Sequence, residues 1–215
     1  MNRIAQSIRN RLSLRKPQEY SVNILAELAD KLTLKKHTPN PSQEGNFLKE
    51  HLEIVKSAYP TCTDFERSFP SICFALATGV GKTRLMGAFV AYLYLAKEIK
   101  NFFVLAPNLT IYNKLIEDFS NSTHPKYVFQ GIGEFVHNNP VIITGDNYNS
   151  IGDLYKEQEI RINVFNISYL SNLDDLVLLM DESHHYRADR GMEVINELNP
   201  VIGLELTATP KIERR

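Results

Sequence analysis

Residues 78–83 read Thr-Gly-Val-Gly-Lys-Thr, two glycines followed by a lysine and a hydroxyl. That order suits phosphate chemistry. Gly79 and Gly81 let the backbone curl until its N–H groups converge on phosphate oxygens. Lys82 then neutralises the β- and γ-phosphates, and the Thr83 hydroxyl is placed to ligate Mg²⁺. Thr78 and Val80 complete the lining. The full phosphate-loop pattern wants Gly, four residues, then Gly-Lys-Ser/Thr; its leading small residue is here Leu76. The bland alternative is a glycine-containing strand–helix turn with a chance lysine. About a hundred residues on, Asp181 and Glu182 follow the apolar run Leu176–Met180. A carboxylate at the carboxyl end of a buried parallel strand sits where such sheets bind ligands. Asp181 suits a metal held through water, and Glu182 suits a group that orients or deprotonates an attacking water. Two acids at a solvated strand end are the alternative.

Those residues need a scaffold of strands and crossover helices, and the hydropathy pattern supplies one. From Phe69 onward, short apolar runs predict strands at Ile72–Ala77, Phe102–Ala106, Tyr127–Gln130, Val141–Thr144, Asn163–Ile167, Leu176–Met180 and Val201–Leu206. Several are apolar on both faces, as strands of helix-covered parallel sheets are. Lys82–Ile99 carries Leu85, Phe89 and Leu93 on one stripe with Met86 and Val90 beside it, a crossover helix. The fold class is α/β, a mostly parallel sheet with helices on both faces. Upstream, Val22, Leu25, Leu28 and Leu32 recur at helical spacing behind Pro17, which suits a first turn. His37–Asn46 collects turn formers and reads as an exposed loop. A short helix with Phe47, Leu48, Leu52 and Val55 then ends before Pro60.

Composition narrows the partners. With 24 Lys and Arg against 25 Asp and Glu, the 215-residue chain carries a net charge of −1, so any nucleic-acid contact must be local. The longest nearly unbroken apolar run, Gly87 to Ala96, is far below the roughly 18 residues of a membrane span, and no membrane partner is expected. Two cysteines, Cys62 and Cys73, make no disulfide framework, and the expected setting is cytoplasmic. Arg3, Arg9, Arg11, Arg15 and Lys16 occur without an acid among them. They fit a solvated amphipathic helix, a phosphate-contacting arm or an organellar transit peptide.

The motifs resemble those of superfamily 2 helicases, the DEAD/DEAH-box group in the broad sense. Ala77-Thr-Gly-Val-Gly-Lys-Thr83 looks like motif I, Val104-Leu-Ala-Pro-Asn-Leu-Thr110 like motif Ia, Asp181-Glu-Ser-His184 like motif II and Leu204-Glu-Leu-Thr-Ala-Thr-Pro210 like motif III. Asp181-Glu-Ser-His-His-Tyr-Arg-Ala-Asp189 and Ala106-Pro-Asn-Leu-Thr-Ile111 are most similar to the Res subunit of type III restriction enzymes, with type I motor subunits next. The resemblance runs from about Leu14 to Pro210.

It implies a RecA-like ATP-binding lobe over 61–215 behind a helical region over 1–60, using ATP and Mg²⁺ and acting on DNA, with a DNA-methyltransferase subunit as a further partner. It implies that Gln18, in Leu14-Arg-Lys-Pro-Gln18, grips adenine bidentately. His184, Thr207 and Thr209 would couple nucleotide state to motion, and Pro107, Asn108 and Thr110 would touch the DNA backbone. The family is a DNA-dependent ATPase and helicase with restriction endonuclease activity. Its motors need a second lobe whose arginine is worth on the order of 10³–10⁵ in rate, and a nuclease domain follows. The chain ends five residues after Pro210, so the expectation is an amino-terminal motor lobe that hydrolyses ATP only with its second lobe. A catalytically silent nucleotide- and DNA-binding module is the alternative.

Overall fold

In a computed structural model the protein is described over residues 2–34, 41–106, 108–145, 147, 160–164, 173–183 and 189–208. Three helices open the chain: α1 (Arg3–Arg11), α2 (Lys16–Lys31) and α3 (Pro41–Ala58). There follow β1 (Ser71–Ala75), α4 (Lys82–Lys97), β2 (Asn101–Leu105), α5 (Leu109–Ser120), α6 (Gly133–His137), β3 (Val141–Ile143), β4 (Arg161–Asn163), β5 (Val177–Asp181), α7 (Asp189–Glu197) and β6 (Ile202–Thr207). Among the described residues the strands form one six-stranded sheet in the order β1-β6-β5-β2-β4-β3, every pair parallel. The α/β parallel fold read from the sequence is therefore the fold of the chain.

Period-two alternation explains why the central strands are apolar throughout. Phe102, Val104, Val177, Leu179, Ile202, Leu204 and Leu206 join the core cluster beneath α1, α2 and α4. Their neighbours Phe103, Leu178 and Met180 join a second cluster with Ile195 and Leu198 at and beyond α7. Each face of the sheet is thus covered, which is what lets a strand bury both rows of side chains. Helix α4 goes further than the stripe expected of it. Every residue from Leu85 to Leu93 is buried, because sheet, α1 and α2, and the turns around Val128 enclose it.

The amino-terminal arginines belong to a docked helix. Asn2 caps α1, its Oδ1 accepting from the N–H groups of Ile4 (3.0 Å) and Ala5 (3.2 Å). Ala5, Ile8 and Leu12 enter the core, while Arg9 pairs with Glu19 at 2.6 Å and Arg11 with Glu134 at 3.0 Å. The segment folds as an amphipathic helix leading into the domain.

Two expectations are corrected. Tyr127–Gln130 is no strand; it is a chain of turns, with Ile132 N–H donating to Phe129 O at 3.1 Å and Val128 N–H to Asp118 O at 2.9 Å. Its apolar residues are buried all the same, because Phe129 stacks on Phe135 and meets Phe119 edge-on. Hydrophobicity there records burial under α4 rather than a place in the sheet. The loop expected at 37–46 also differs: residues 41–46 already belong to α3, whose first residue is Pro41, a ring compatible with an opening turn. Residues 37–40 lie outside the described set. Of the strand expected at Asn163–Ile167, Asn163 ends β4 and 165–167 lie outside it as well.

Candidate functional site

The loop after β1 is held at both ends before any ligand is considered. At its root Leu76 N–H donates to Thr207 O at 2.9 Å, tying it to the end of β6. Val80 N–H then closes a turn on Ala77 O at 3.3 Å, and Leu85 N–H donates to Gly81 O at 3.1 Å to begin α4. Gly79 and Gly81 have φ of 81° and 94°, a left-handed backbone that glycine adopts without strain. Lys82 is the first residue of α4 and Thr83 follows in its first turn. The amino-terminal N–H groups of a 16-residue helix and the curled loop thus face the same space, an arrangement suited to anions.

Gln18 stands directly against this loop. It is buried; its Oε1 accepts from Arg15 N–H at 2.8 Å and its Nε2 donates to Gly81 O at 2.9 Å. A Cβ on Gly81 would come within 2.8 Å of that Nε2, so any other residue at 81 would have to shift the Gln18 amide as well as adopt a positive φ. Both halves of the amide are therefore engaged with protein. In this arrangement Gln18 fixes the start of α2 against the phosphate loop. Arg15 reinforces it, its Nη1 donating to Gly79 O at 3.1 Å, and Arg84 Nη1 donates back to Leu12 O at 3.0 Å.

Strand β5 ends on Asp181, which is buried, and Glu182 follows in the left-handed region at φ 49°. That turn is uncommon for a side chain with a Cβ. It brings Glu182 Oε1 to the Lys82 ammonium, an ion pair that joins residues a hundred positions apart. Burial pushes the Asp181 carboxyl above the ordinary carboxylate value, reinforced by the charge of Glu182. Lys82, the Glu182 backbone N–H and Lys114 pull the other way without cancelling it. Asp181 Oδ1 is buried and accepts no hydrogen bond. A buried carboxylate oxygen without a hydrogen-bond donor, at the end of a strand beside the phosphate loop's lysine, is the kind of group that suits a hard divalent cation.

Of the coupling residues, Thr207 is fully buried at the end of β6, and its carbonyl holds the root of the loop. His184 and Thr209 lie outside the described residues, as does Pro107 of the motif Ia segment. Asn108 caps α5, its Oδ1 accepting from Ile111 N–H at 3.0 Å, and Thr110 is exposed in the first turn beside Leu109. The sequence reading missed Arg67 and Glu205. Arg67 Nε donates to Glu205 Oε1 at 3.0 Å with both side chains buried, and the guanidinium also lies against the sulfurs of Met180 and Met192. The signal was available: one acid inside the otherwise apolar run Ile202–Leu206 requires a cation from elsewhere.

Comparison with known proteins agrees with the motif reading. The chain is 29% identical over 201 residues to the probable type III restriction-modification enzyme HindVIP Res subunit of Haemophilus influenzae. That alignment covers 80% of this chain and 38% of the relative, so the chain spans well under half of that protein's length. A solved structure, the Sulfolobus solfataricus SWI2/SNF2 ATPase core in complex with dsDNA, overlays with a TM-score of 0.46 at 14% identity, over 83% of this chain and 33% of that one. The family model described as type III restriction enzyme, res subunit, matches residues 11–212. The chain belongs to the type III restriction enzyme Res subunit family.

Proposed function

We propose that this chain is the ATP-binding motor lobe of a DNA-translocating restriction subunit, binding Mg-ATP between the loop after β1 and the carboxylates after β5. The observation that carries the reading is the Lys82–Glu182 ion pair, which unites the phosphate-loop lysine with the carboxylate pair in one cleft. Thr78, Gly79, Val80 and Gly81 would present backbone to the phosphates, Lys82 would neutralise them, and Thr83 and Asp181 would hold Mg²⁺. The metal would supply charge neutralisation at the phosphates. Glu182 would orient the attacking water and accept its proton. Gln18 and Arg15 would keep the loop in register. Thr207, with His184 and Thr209, would relay the state of the site through β6, which abuts β1. DNA would lie along Asn108 and Thr110, with Pro107. A methyltransferase partner and a nuclease belong to the activity proposed for the whole enzyme.

Calorimetric titration with Mg-ATP tests the site. The chain should bind, and Lys82→Ala should weaken binding at least tenfold, about 1.4 kcal/mol; equal affinities would remove the assignment. Turnover by the 215-residue chain alone should stay near 10⁻² per second or below, because a facing arginine worth on the order of 10³–10⁵ comes from a second lobe. Robust DNA-stimulated phosphate release by the isolated chain would overturn that division of labour.

A further inference from the structure

Strand β1 is an edge of the sheet: among the described residues it pairs with β6 alone. Gly203 N–H donates to Pro70 O at 2.8 Å and Leu76 N–H to Thr207 O at 2.9 Å, so the even-numbered positions address β6. The period of two then turns the N–H and C=O of Ser71 and Ala75 away from the sheet. Edges of this kind are commonly guarded by lysine, proline or a bulge. The strand Ser-Ile-Cys-Phe-Ala carries neither residue.

A cavity of about 320 Å³ runs along this edge and wraps both faces. On one face Ile24, Leu28 and Val55 offer apolar wall beside Ile72. On the other, Cys73 and Glu205 are neighbours in register. Asp64, Glu66 and Glu205 all line the cavity and no basic residue does. Glu205 is 2% exposed; its Oε1 is held by Arg67, whereas its buried Oε2 has no hydrogen-bond partner. A carboxylate oxygen left without a partner at the cavity wall calls for a hydrogen-bond donor, and with Asp64 and Glu66 beside it and no basic residue in the lining a cationic donor suits it best.

We propose that the β1 edge docks an extended segment of a partner protein, with apolar side chains at alternate positions and a lysine or arginine between them. Adding a strand would place one row of side chains over Ile24, Leu28 and Val55 and the other over Glu205, which matches an apolar row and a cationic row respectively. Main-chain pairing would give affinity and the two rows would give specificity. The proposal is independent of the nucleotide reading.

A capped, fluorescently labelled peptide alternating valine and arginine, titrated into the 215-residue chain, provides the test. Saturable anisotropy is expected, weakening at least tenfold when citrulline replaces arginine. N-methylation of every second residue should abolish binding in one register and be tolerated in the other, a signature that non-specific charge attraction lacks. The exposed pair Asp64→Asn with Glu66→Gln should reduce affinity severalfold with an unchanged melting curve. Equal binding of the citrulline peptide, indifference to N-methyl register, or self-association of the chain through this edge in place of peptide binding would each overturn the proposal.

Discussion

Asp181 and Glu182 are adjacent and chemically alike, yet their surroundings assign them different work. Asp181 closes a buried strand with a donorless oxygen, whereas Glu182 turns back to Lys82. Asp181→Asn should therefore weaken Mg²⁺-dependent nucleotide binding. Glu182→Gln should leave nucleotide binding intact or tighter, because it removes the anion that competes for Lys82, and should abolish hydrolysis in a two-lobed protein; wild-type turnover there would remove Glu182 as the base. The raised pKa of Asp181 adds a stability consequence of definite sign. A carboxyl whose folded pKa lies above its unfolded value of 3.8 favours the fold when protonated and disfavours it as pH rises through the folded pKa. Asp181→Asn without nucleotide should thus melt higher than wild type at neutral pH, and the advantage should shrink as pH falls through the folded pKa and be gone below about 4. Melting curves across that range, followed by circular dichroism, check it; an Asn variant that melts lower at pH 7 contradicts it.

Elements show where sequence and structure part. The strands carrying chemistry, β1, β5 and β6, lie within a residue or two of where hydropathy placed them; β5 and β6 are buried on both faces, whereas β1 buries one row and leaves Cys73 and Ala75 exposed. Tyr127–Gln130 was misplaced for the converse reason: a run as apolar as a strand can be buried as turns when a helix presents a flat surface. Gly87 provides that surface on α4. A Cβ there would stand 2.5 Å from Val128 Cβ and 2.9 Å from Val128 O. Gly87→Ala should gain about 1 kcal/mol in helix propensity and still destabilise overall by about 1–3 kcal/mol through overpacking. Urea denaturation measures the balance, and a stabilised variant would mean that the 127–130 turns yield. Gln18 marks a different limit of sequence reading. Its residue type points to a base contact, and only the packing of α2 against the loop reveals that it also bridges Arg15 and Gly81.

Over the whole molecule, a net charge of −1 leaves no general attraction for DNA. The basic amino terminus adds little, since Arg9, Arg11 and Arg15 are drawn into contacts with Glu19, Glu134 and Gly79 O. Binding by the isolated lobe should be weak, centred on Asn108 and Thr110, and steeply reduced between low and physiological salt with little sequence preference. Fluorescence anisotropy at two salt concentrations decides it, and affinity indifferent to salt would point to another surface. The acidic cavity along β1 sharpens the expectation, because it repels a phosphate backbone from that side of the sheet.

The Lys82–Glu182 pair sets a cation and an anion in direct contact within the cleft. On the proposed function, ATP arrives as one anion displacing another, so loading is an exchange rather than a simple addition. While no phosphate is present, the group that would activate water is kept neutralised by the lysine that would later hold the substrate. Arrival of the triphosphate releases Glu182 at the moment there is something to hydrolyse. On that reading substrate presence and base availability would be set by a single contact, the one between Lys82 and Glu182.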